Sequence, residues 1–382
     1  TSQTLALTST QIRALGSDQI IALSTDQFAV LSTAQVAAMT TAQVQAIDSG
    51  DIASLGSANL RALNTAQVRA LGSEQVQGLS TAQAAALTST QTAAMTTNQV
   101  AALETDDLRA IVTNAFATLN SANIAALLTD QVQALMTRQV AVLNSAQIGN
   151  LSTDQIVALT TEQAAALSST QVAALRTAQA AALETDDLGA ITTLALHGLT
   201  TQSMAALTTD QVQSLTTSQT GTLTLNQVGS VTTSQLQALS TEQVQSLTTA
   251  QTYRLNTAQV QALTTDQVAA LTTAQVQNLN TAQVIALTTA QALALETADV
   301  AALTTGNLRV LGTAQTAALS SDQIVALTTA QAAVLTSAQA AVLTSEQVLA
   351  IETRDLQALA TRSISALATD STIALSTAQI QA

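Results

Sequence analysis

The chain has 382 residues, 47% of them apolar, with aromatics at 1%, charged residues at 9% and a formal net charge of −14. Without cysteine there is no disulfide framework, thiolate metal site or Cys nucleophile, and ten Arg with no Lys give no basic surface for nucleic acid phosphates. No apolar run approaches the roughly 18 residues of a membrane span, while the Ala, Leu and Val content is too high for a charged disordered tail.

The opening stretch TSQTLALTST has no initiator Met and no signal-peptide pattern, so a processed chain or a segment of something longer is expected. From Leu7 an apolar residue recurs at every eighth position as far as Leu375. This gives 47 octads without an insertion or deletion, after a partial octad at 1–6. A unit such as LSTDQIVA, residues 151–158, sets the numbering of positions one to eight. Position three is Ser or Thr in 46 octads, Leu225 being the exception, and position five is Gln in 34. Residues 1–382 therefore read as a single uninterrupted octapeptide-repeat solenoid.

Eight residues of continuous α-helix would advance the apolar stripe by about 80° per repeat, so no fixed seam forms. A strand would place positions one and six on opposite faces. One very short helix per octad reconciles the pattern, and the fold class expected is an all-α solenoid or superhelix of such helices. A β-solenoid with Thr and Gln ladders is the alternative. In the helical reading position three is the N-cap and position four opens the helix. The chain bends at two and three. Fourteen of the 24 acids lie at position four, where the helix dipole favours them. Positions one, six and eight face inward, the small Ala at eight letting coils approach. Gln at position five is too regular for a solvated site and is expected to hydrogen-bond to backbone or to Gln of adjacent coils. Helices this short hold only by stacking on neighbours.

Five octads depart from this pattern. Asp48 with Asp51, Glu104 with Asp107, Glu184 with Asp187, Glu296 with Asp299, and Glu352 with Asp355 place an acid at position two and an Asp at position five. The following octads also lack Gln at five, carrying Asn59, Ala115, Ala195, Asn307 and Ser363. The acidic octads begin 56, 80, 112 and 56 residues apart. Hard oxygens on several coils are what Ca²⁺ takes, which makes these ten carboxylates the candidate metal ligands. The competing reading is structural: the octads bend the array, set its phase or mark a docking place. LETDDL lacks the Asp spacing and Gly of a calcium loop. Nothing about the pairs implies a pocket for carboxylate catalysis, and no enzyme activity or other cofactor is expected.

His197, alone and without Cys, reads as a surface residue. Tyr253 and Arg254 read as a tolerated surface change or a contact site, and Phe28 and Phe116 as core. Position two varies too freely for a flat ice-binding Thr face. Both chain ends cut through the array without polar capping repeats, which predicts end-to-end or lateral association with further copies.

The LTTDQVAALTTAQVQ register of residues 263–277 resembles the octad arrays of very large, low-complexity proteobacterial proteins. Those are described as adhesin-like, haemolysin-like or haem-utilisation surface proteins. The resemblance covers essentially the whole chain and carries no catalytic residues. It implies export and a cell-surface or extracellular location. The function expected is a structural one, an exported bacterial filament, sheath or surface-stalk subunit. An adhesin module with Ca²⁺ or partner contacts at the acidic octads is the alternative.

Overall fold

A computed structural model describes residues 1–381. It contains 48 helices of four to six residues and no strand among the described residues, so the β-solenoid alternative is overturned. Every octad supplies one helix, and the partial octad adds Ser2–Ala6. The chain divides into two compact units, Thr1–Leu199 and Thr200 onward, each a stack of such helices.

The helix boundaries correct the expected frame by one residue. The N-cap is position two and the helix opens at position three. In the octad beginning at Leu31, Ser32 is extended at φ −78°, ψ 159°, Thr33–Ala38 is helical, and Met39 returns to extended backbone. The bend therefore falls at positions one and two. The occupants of position two, mainly Ser, Thr, Asn and Gly, are the residues that cap best. Leu225 makes the point: with no hydroxyl at position three, the helix Leu225–Ser230 is intact because Thr224 caps it. Ser or Thr at position three instead opens the first turn, and in some octads its hydroxyl reaches the next coil, as Ser57 does to the Ala82 carbonyl at 3.1 Å.

Positions one and six form the core, as at Val100, Leu103, Leu108 and Ile111, and Phe28 and Phe116 are fully buried there. Position eight is only half-buried, in contrast to the inward placement expected. Its small size still matters. A Cβ on Gly78 would lie 2.5 Å from the Ser49 carbonyl, and one on Gly198 would collide with the Ser169 carbonyl.

Gln at position five is buried and satisfies three main-chain groups at once. Gln83 accepts from the Ser80 N–H at 2.8 Å, closing a capping box. Its amide nitrogen donates to the Ile52 and Leu55 carbonyls at 2.7 and 2.6 Å. The same set recurs at Gln163, Gln243 and Gln347. The partners are main chain, one of the two possibilities the pattern allowed. Very short helices leave most of their N–H and C=O groups orphaned, and this one side chain answers orphans at both ends.

These bonds reach back 28 and 31 residues, and each helix packs on the third helix before it, as Thr105–Ala110 does on Thr81–Ala86. One turn is thus about 28 residues, three and a half octads. The octad spacing of the acidic pairs now has a geometric meaning. Asp51 and Asp107 lie two turns apart on one line of their unit, and so do Asp299 and Asp355 on theirs. Asp187, 80 residues after Asp107, falls out of that phase.

Candidate functional site: the acidic octads

In four of the five pairs the two carboxylates separate, one to solvent and one to the core. Glu104, Glu184, Glu296 and Glu352 are exposed N-caps whose side chains make no cap hydrogen bond. Asp107, Asp187, Asp299 and Asp355 are buried, at 2–3% exposure, where Gln stands elsewhere. The fifth pair is more open: Asp48 caps its helix by accepting from the Gly50 N–H at 2.9 Å, and Asp51 is half-buried. The ten carboxylates are therefore not gathered into a ligand shell. Among the described residues no three of His, Cys, Asp and Glu come together in a way that could hold a metal ion.

Each buried Asp has one constant partner, the Thr hydroxyl at position three, 26 residues earlier. Thr25 donates to Asp51 and Thr329 to Asp355, both at 2.6 Å. Thr81, Thr161 and Thr273 stand in the same relation to Asp107, Asp187 and Asp299. At those last three the second carboxylate oxygen is buried and has no hydrogen-bond partner. Asp355 differs: Arg354 lies 3.5 Å from it and 2.9 Å from Glu352.

Burial pushes the carboxyl groups of Asp107, Asp187 and Asp299 above the usual range. The Thr hydroxyls oppose that rise, and Glu104, Glu184 and Glu296 at position two reinforce it. The position-four acids behave in the opposite way. Glu162 and Glu242 are held below the usual range by their own main-chain N–H, helped by the hydroxyls of Thr160 and of Ser240 and Thr241. They are exposed first-turn acids of the kind the octad frame anticipates.

Where Gln is lost in the following octads, a smaller donor still finds the carbonyl 28 residues earlier. Asn59 reaches Leu31, Asn123 reaches Met95 and Asn307 reaches Leu279, at 2.7, 2.9 and 2.7 Å. Ser363 and Ser371 reach Leu335 and Leu343, both at 2.7 Å. Ala115 and Ala195 have no donor, and bulky Phe116 and Leu196 are buried beside them. The signal for this role was present in the sequence: a donor at position five in every octad but the acidic ones and two Ala.

The remaining singled-out residues lie at the surface. His197 is exposed after the helix Thr193–Leu196. Tyr253 is 58% exposed, and Gly229 makes room for the Arg254 guanidinium, which a Cβ there would touch at 3.6 Å. A groove of about 600 Å³ opens beside Asp48, with Ile21, Gln45, Gly72 and Glu74 in its walls. No helix among the described residues is long and apolar enough to cross a membrane.

The architecture defines a repeat protein in which one eight-residue unit makes one helix and 28 residues make one turn. The ALTTAQ repeat model matches residues 1–33, 44–81, 69–97, 100–137, 133–161, 180–217 and 293–329, more than half of the chain. The chain belongs to the ALTTAQ repeat family. No curated protein matches it.

Proposed function

We propose that this array is a structural protein, built to extend and bear load by stacking coil on coil rather than to turn over a substrate. The observation that supports it is the position-five network. The buried Gln side chains are committed to main-chain groups of their own and the preceding turn, so the chemistry of the repeat is directed inward. In this reading copies associate with one another into a filament, sheath or surface stalk. An exported, bacterial cell-surface setting follows the likeness to large octad-array proteins, and an acidic chain with no Lys has no affinity for nucleic acid. Negative-stain electron microscopy of purified protein tests it. Long uniform fibres are expected, and monodisperse particles of single-chain mass over a wide range of concentration and salt would sink the self-assembly.

A further inference from the structure

Three buried oxygens call for a partner. The second carboxylate oxygens of Asp107, Asp187 and Asp299 are buried without one, in a fold where a position-five side chain otherwise joins two turns. In neighbouring octads that link is a donor aimed at the carbonyl 28 residues earlier, and Asn, the amide isostere of Asp, makes it at 2.7–2.9 Å. At the acidic octads the equivalent carbonyls belong to Leu79, Leu159 and Leu271, all buried residues. An ionised carboxylate only accepts and so cannot answer a carbonyl, whereas a carboxylic acid carries one O–H donor.

We propose that Asp107, Asp187 and Asp299 are proton-binding sites: each takes up one proton on the unpartnered oxygen and donates it to the main-chain carbonyl of Leu79, Leu159 or Leu271, completing the inter-turn link that Asn makes elsewhere. The reaction is uptake of H⁺ by a carboxylate, with no other change in bonding. The surrounding charges favour it. Around Asp107 stand Glu104 and Asp106 on its own helix and Asp130 on the packed helix Thr129–Ala134, while Thr81–Ala86 carries no charge. Arg109 lies toward Asp106, at 3.9 Å and half-exposed. Asp187 has Glu184, Asp186 and, from Thr161–Ala165, Glu162. Asp299 has Glu296 and, from Ser321–Val325, Asp322, with no charge on Thr273–Gln277. Among the described residues no cationic side chain forms an ion pair with any of the three. Burial acts in the same direction. A carboxyl raised on folding stabilises the fold fully below its unfolded value, about 3.9, and that contribution is lost as pH rises through the folded value.

The test compares the full chain with its D107N/D187N/D299N variant. Between about pH 4 and 7 the Tm of the natural chain falls relative to the variant, which holds a donor at every pH. At mildly acidic pH, with exposed acids ionised, the infrared carbonyl band of a neutral carboxylic acid is present in the natural chain and absent from the variant. Parallel Tm curves without that band would overturn the proposal. So would a Tm of the natural chain at pH 7 that rises with millimolar calcium chloride while the variant's does not, because a cation would then occupy the three sites.

Discussion

The octad around Gln243 and the octad around Asp107 have the same length, the same six-residue helix and the same place in the stack, yet they join their turns differently. Gln243 accepts from the Ser240 N–H and donates to the Val212 and Leu215 carbonyls. Asp107 is one methylene shorter, closes no capping box and has a buried oxygen without a partner. The backbone tolerates both because positions one and six carry the apolar packing in each. The difference teaches that position five is the element of the repeat that sets how tightly one turn holds the next.

Exchanging the two side chains is the strongest way to break that comparison. Gln243→Asp removes two donors and the cap acceptor and buries a charge, so a loss of about 4 kcal/mol at neutral pH is expected from urea unfolding. Part of it should return toward pH 4 as the new carboxyl is protonated. An equal loss at both pH values would mean that position five acts through shape alone. The reverse change, Asp107→Gln, restores the box and the donors and should stabilise the chain by about 1–2 kcal/mol at pH 7. A destabilised product would show that the acidic octad is adapted to something Gln cannot supply.

Smaller effects sharpen the frame. Thr264 accepts from the Gln267 N–H at 3.1 Å as the N-cap, so Thr264→Ala should cost about 1 kcal/mol. Thr265→Ala, one residue on, should stay within about 0.5 kcal/mol; equal losses in thermal melts would return the cap to position three. Thr81→Val deletes the hydroxyl that favours ionised Asp107, so the Asp107 titration followed by carboxyl ¹³C NMR should move to higher pH. The least effect belongs to Glu162→Gln at the surface. Glu162 is lowered on folding, so its contribution is present above its unfolded value and lost as pH falls through the folded one. The variant should show a slightly flatter acid limb in its melting profile.

Much of this was legible in the residues. The constant period and the mismatch of eight residues with helix geometry required one short helix per octad. The commitment of Gln to hydrogen bonds followed from its regularity. The cap was misplaced because near-invariant Ser or Thr at position three drew more weight than the variable position two. Yet Ser, Thr, Asn and Gly at two, with Gln three residues on, is a capping-box pattern. The turn of 28 residues was hidden because it depends on which carbonyls Gln83 meets in space, although the 56-residue spacing of the acidic octads already contained twice that number. The opposite environments of Glu104 and Asp107 were hidden for the same reason. Two acids three apart on a helix sequence look like one cluster until the inward stripe is placed.

A turn of three and a half octads has a consequence for how such a gene can change length. Each Gln amide spans a junction on the turn below, bonding the end of one helix and the first residue of the next octad. Adding or deleting a single codon would strand every Gln within the following turn, whereas adding eight codons hands each amide an equivalent junction. Duplications of seven octads go further, because they return an acidic octad to its own line. The array grows in quanta of eight residues, and it keeps its pattern of acidic marks in quanta of 56.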